Sequence, residues 1–132
     1  PFVEKQLIFS GFDIINDEPL VFTYPLPEKP VTLGSLIDAY NQLYVEPILQ
    51  QAPITYNSLS LIDKSLTIDF DRTIYRNLSS SLETALLEPL FHAYFDNIPE
   101  LEMLFISVEN GSYESGHYLF LPDEPLLRED FQ

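Results

Sequence analysis

The sequence predicts an α+β fold in which two helices pack on one face of a small mixed sheet. Two segments repeat apolar residues at the three-and-four spacing of a helical face, and the segment between them alternates with the period of a half-buried strand. A third observation is the nearly continuous apolar run over residues 101–108, as expected of a central strand covered on both faces. The order is helix, strand, strand, helix, strand, an αββαβ core with extra strands before and after it.

A chain of 132 residues that is 45% hydrophobic can bury a core without crosslinks, so residues 1–132 read as one domain. Residues 1–31 supply strands and a proline-rich connector, 32–121 the core, and 122–132 an acidic tail. At the N-terminus, residues 6–9 form a strand closed by Ser10-Gly11, and residues 12–19 are turn-like around Asn16-Asp17-Glu18-Pro19. Residues 20–24 are β-branched and aromatic, a strand expected to extend the sheet. Pro25, Pro27 and Pro30 then hold the chain extended.

The first helix is expected over residues 32–48. Thr32 is its N-cap, Val31 and Leu36 stand at staple spacing, and Leu33, Leu36, Ile37, Tyr40, Leu43, Tyr44 and Ile48 form its apolar face. Pro47 kinks or ends it, because proline lacks a donor and clashes with the preceding turn, so continuous helix is expected to about Glu46 and a looser turn to Gln51. Residues 55–62 and 65–70 read as a hairpin across Asp63-Lys64. In its second arm Leu66, Ile68 and Phe70 face the core, while Thr67, Asp69 and Asp71 face water.

The second helix is expected over residues 81–96, opened by a Ser80–Glu83 capping box. Its apolar arc is wide enough to demand burial on more than one flank. Pro89 lies well inside it, at a cost of about 3 kcal/mol relative to alanine, and should kink it. After the 101–108 strand, Asn110-Gly111 reads as a turn and residues 116–121 as another strand. In the acidic tail, Leu126-Leu127 is the only anchor.

Twenty-one acids against six basic residues give a net charge of −15. That weighs strongly against a nucleic-acid backbone as partner and disfavours an anionic membrane surface. The charge is a solvated face, or it serves a basic protein partner or a loosely held divalent cation. With no cysteine, a disulfide scaffold and a thiolate metal site are excluded. No apolar run reaches the ~20 residues of a membrane span. The chain starts at Pro1, so a signal peptide or anchor is expected upstream of it.

No catalytic constellation emerges. His92 and His117 lack partners at ligand or triad spacing and read as structural or surface residues. Ser79-Ser80-Ser81 is no nucleophile elbow, and the four glycines form no phosphate loop. A hydrolase would need two acids facing each other across a pocket. Asp63, Asp69 and Asp71 are the candidate cation ligands, although Asp69-Phe70-Asp71 lacks the glycine and distal glutamate of an EF-hand loop. The expectation is a non-enzyme with no cofactor.

Several stretches together resemble the GerMN domain, a module of sporulation proteins and bacterial lipoproteins. They are Leu59-Ser-Leu-Ile-Asp-Lys-Ser-Leu-Thr-Ile-Asp-Phe70, residues 80–97, Ile98-Pro99 through Glu109-Asn110-Gly111, and Gly116-His117-Tyr-Leu-Phe-Leu-Pro-Asp-Glu-Pro-Leu126. Glu88-Pro89-Leu90 stands where that family's pattern has Asn-Thr-Leu. The resemblance implies a ring-building-motif-like fold without catalytic residues. It also implies an exported, membrane-tethered envelope protein, with sporulation or germination among its settings. Such a protein works through a protein partner or self-assembly, its only membrane contact being an upstream anchor. The alternative is an extracytoplasmic module that binds a cation or small ligand.

Overall fold

The computed structural model describes residues 6–13, 18–25, 33–76 and 78–131. Four strands form a mixed sheet: β3 (Tyr56–Ile62), β4 (Ser65–Phe70), β5 (Met103–Val108) and β8 (Leu126–Leu127), in the order β3-β4-β5-β8. β3 and β4 are the expected hairpin, and Asp63 in its turn takes the left-handed conformation at φ 54°. β4 and β5 run parallel, joined by a crossover through α2 (Ser80–Asn97), while β8 returns antiparallel along the start of β5. α1 (Leu33–Tyr40) and α2 pack on one face, where Leu36, Ile37, Tyr40, Leu86, Leu90 and Tyr94 meet Leu66, Ile68, Phe70, Leu104 and Ile106. Two short strands, β6 (Tyr113–Glu114) and β7 (Leu119–Phe120), make a separate antiparallel pair.

The N-terminal strands do not extend this sheet. β1 (Gln6–Asp13) and β2 (Glu18–Pro25) pair only with each other, and β1 lies against α2. The apolar arc of α2 explains the arrangement. Leu86, Leu87, Leu90, Phe91, Ala93, Tyr94 and Phe95 are all buried, more than one sheet face can cover, so the hairpin takes the second flank. The 12–19 turn is correspondingly shorter than expected, since Phe12 pairs with Pro19 and Asp13 with Glu18. Thr32, Val31, Pro27 and Pro30 lie outside the described residues.

The first helix is α-helical only to Tyr40. Residues Asn41–Val45 widen into a π-helical turn, and looser hydrogen-bonded turns then carry the chain past Pro47, with the Ile48 and Leu49 N–H groups on the Tyr44 carbonyl and the Gln51 N–H on that of Val45. Asn41, buried in that turn, donates to the Ile54 carbonyl at 2.9 Å and accepts from the Ile54 N–H at 2.8 Å. It thereby imitates a strand neighbour and fixes the chain entering β3.

The second helix runs through Pro89 without interruption. Proline has no N–H for the carbonyl four residues back, Ala85, and its ring crowds that turn. The Tyr40 hydroxyl fills the gap. It donates to the Leu86 carbonyl at 2.7 Å, approaches the Ala85 carbonyl at 3.4 Å, and accepts from the Leu90 N–H. Burial raises the Tyr40 pKa well above that of a free tyrosine.

Four further expectations are corrected. Ser79 is the N-cap, accepting from the Leu82 N–H at 3.2 Å, and Glu83 is drawn away into the core. The two-residue turn after β5 is Glu109-Asn110, at φ 49° and 66°, with Val108 and Gly111 as the paired flanks. That is the backbone pattern of a type I′ turn, whose twist matches the strands it joins. Only Leu119 and Phe120 of the 116–121 strand are extended, because their partner β6 is equally short. The tail has anchors besides β8. Arg128 donates to the carbonyls of Phe95, Ile98 and Leu101, capping the end of α2, and sits over the Phe95 ring. Phe131 stacks on Phe95.

Candidate functional site

The sheet face opposite the helices is the candidate surface. Register places Ser60, Thr67 and Phe105 side by side across three strands, then Ile62, Ser65, Met103 and Leu127 across four. Leu104, Ile106 and Val108 are buried on the opposite face, whereas Met103 and Phe105 are only half-buried. β5 is thus not covered on both faces as expected, since both helices lie on the same side. Ile62 is 68% exposed. Two shallow depressions meet at Met103. One is bordered by Ser60, Ile62, Ser65 and Thr67, the other by Lys64, Leu127 and Arg128.

β3 is the sheet's outer strand. Edges are usually blunted by charge, proline or a bulge. Here the register shifts at Asn57, between Tyr56 and Ser58, but the rest of the strand, Ser-Leu-Ser-Leu-Ile, carries neither charge nor proline.

Beyond Asn57 lies a polar node built on Asp69. This residue was expected on the wet face, yet it is buried at 4% exposure. Ser107 donates to its carboxylate at 2.6 Å, the Asn110 N–H at 2.8 Å and Asn57 at 3.1 Å. Burial pushes the Asp69 pKa up, but these three donors outweigh it and hold the carboxyl below its usual range. The node ties β3, β4 and β5 to the Glu109-Asn110 turn, and Asn57 also donates to the Glu109 carboxylate at 3.2 Å.

Asp71 lies just past β4, where its carboxylate caps a short 3-10 turn, accepting from the Thr73 N–H at 2.6 Å and from the Thr73 hydroxyl. Those bonds hold its pKa below the usual range. Asp63 is exposed in the β3–β4 turn, about 20 Å of strand away from Asp69 at ~3.3 Å per residue. The three candidate ligands therefore do not converge. Among the described residues, no group of three or more histidines, cysteines, aspartates or glutamates is placed to hold a metal.

His92 lies edge-on to Phe131, with ring centres 4.9 Å apart. His117 is exposed in the loop before β7, its N–H donating to Ser115 at 3.1 Å. Sequence reasoning missed Glu83. It is buried at 3% exposure and accepts from the Tyr113 hydroxyl at 2.9 Å and the Ser115 hydroxyl at 2.8 Å. Burial first, then the bond to Glu83 and its charge, pushes the Tyr113 pKa far above the usual range. Spacing was the available signal, because Glu83, Leu86, Leu87 and Leu90 share one helical face. The carboxylate locks the β6–β7 pair onto α2.

No protein-family model matches the sequence, and no curated protein does. Solved structures do. The first GerMN domain of the sporulation protein GerM from Bacillus subtilis superposes with a TM-score of 0.60 at 15% identity, over 98% of this chain and 100% of that one. A "Putative Lipoprotein from Clostridium perfringens" gives a TM-score of 0.58 at 21% identity, over 97% of this chain and 89% of that one. The tandem GerMN domains of the B. subtilis protein give a TM-score of 0.53 at 12% identity, this chain spanning 45% of theirs. This chain has the fold of a GerMN domain.

Proposed function

We propose that this chain is a non-catalytic contact domain of an exported, membrane-anchored envelope protein, acting through the open sheet face and the β3 edge. The carrying observation is that Ile62, Met103, Phe105 and Leu127 line one side of the sheet while both helices cover the other. The fold neighbours support the setting, since one is a domain of a sporulation protein and another carries a lipoprotein's name. Sporulation is the process that the first of these names suggests. Among the described residues no helix is long and apolar enough to cross a membrane, so the anchor in this reading lies outside them.

The test compares the native protein with an Ile62→Asp/Phe105→Asp variant by native gel electrophoresis of detergent-solubilised envelopes. The native protein should run in a larger complex and the variant as the free chain. An Asp96→Lys control on α2 should run as the native protein does. A native protein already running alone, or a variant indistinguishable from it, would overturn the reading.

A further inference from the structure

Resting on that reading, we infer that the β3 edge receives an extended, basic segment of a partner protein by strand addition. Among the described residues no strand pairs with the outer side of β3. Over Ser-Leu-Ser-Leu-Ile its side chains carry no charge, within a chain of net charge −15. Leu61 is 42% exposed and Ile62 68%, neighbours on this one strand. An uncharged edge with exposed apolar side chains offers both the main-chain groups and the side-chain contacts that strand addition uses.

Charge chooses the occupant. A second copy would bring another −15 to the interface, and like charge slows encounter and weakens the pair. A basic segment is drawn in instead. The end of the edge at Tyr56 and Asn57 carries Glu109, held by Asn57, and Asp71, held beside Thr73, together with Arg72 and with Arg76, which donates to the Ala52 and Pro53 carbonyls. The opposite end carries Asp63 and Lys64 together and is close to neutral. Both ends of the edge thus carry charge of both signs, and it is the net charge of −15 that favours a short run of uncharged, β-prone residues flanked by lysine or arginine.

The experiment titrates the isotopically labelled chain with two synthetic peptides of alternating valine and threonine, one ended by lysines and one by glutamates. Nuclear magnetic resonance then locates the contacts. The lysine-ended peptide should shift amides concentrated in Tyr56–Ile62, while the glutamate-ended one leaves them in place. Ser60→Lys, which sets a charge in the middle of the edge, should weaken binding by roughly tenfold or more with an unchanged melting temperature. Four results would overturn the inference: no binding, shifts spread over the acidic surface, equal binding of both peptides, or dimerisation of the chain through β3. The last would name a second copy as occupant and leave the contact-domain reading standing.

Discussion

Replacing Tyr40 with phenylalanine isolates one hydroxyl in an otherwise apolar contact between the helices. That hydroxyl donates to the Leu86 carbonyl at 2.7 Å and accepts from the Leu90 N–H, across the turn that Pro89 disrupts. Each buried backbone group left without a partner costs about 1–3 kcal/mol, and partial relaxation of the helix recovers some of it. A net loss of about 2 kcal/mol is expected, or ~1 M in the urea midpoint for a slope of about 2 kcal/mol/M. The background decides whether this reasoning holds. In Pro89→Ala the restored N–H can reach the Ala85 carbonyl, the turn tightens, and Leu90 can bond Leu86 directly. Tyr40→Phe should then cost less than ~0.5 kcal/mol, giving a coupling of about 1.5 kcal/mol in the double-mutant cycle. Urea unfolding of the four proteins, followed by circular dichroism, supplies the numbers. Equal costs in the two backgrounds would show that the hydroxyl is not there on account of the proline.

Other perturbations follow from the same contacts. Glu83→Ala strips the Tyr113 and Ser115 hydroxyls of their acceptor and should cost about 2–3 kcal/mol by denaturant unfolding. Arg128→Ala removes the cap of α2 and should cost about 1–2 kcal/mol while speeding amide exchange in Leu126–Leu127. Because Asp69 has a lowered pKa in the folded state, its contribution is present above the unfolded value of about 3.9 and is lost as pH falls through the folded value. Asp69→Asn should therefore flatten the acid limb of a stability-against-pH curve. Tyr40, Tyr94 and Tyr113 have raised values, so their contribution is full below about pH 10 and is lost as pH rises towards the folded values. Calcium at about millimolar concentration should leave the melting temperature unchanged, and an upward shift would restore the cation reading of Asp63, Asp69 and Asp71.

What the sequence made legible was set by local pattern. Leu66, Ile68 and Phe70 alternate so regularly that the β4 face could be read without tertiary knowledge, and the width of the α2 arc announced a second covering. What it hid depends on distant partners. Asp69 has the alternation of a wet residue and is buried because Ser107 and Asn110, about 40 positions on, bring donors to it. The capping box failed because three consecutive serines compete for one role, and because Glu83 finds hydroxyls 30 and 32 positions away. The fate of β1 and β2 was unreadable for another reason. A β-prone segment shows that it will pair but not with which strand, and here the flank of α2 outbid the sheet edge. The candidate surface was less legible still, since Ile62, Phe105 and Leu127 come together only through the register of four strands.

The most direct test of contact through the open sheet face is photocrosslinking in the living source cell. A photoreactive residue replaces Ile62 in one strain and Asp96, exposed on α2, in another. Discrete protein adducts from position 62 and none from position 96 are the predicted result. Adducts from position 96 alone, or from neither, would contradict the account.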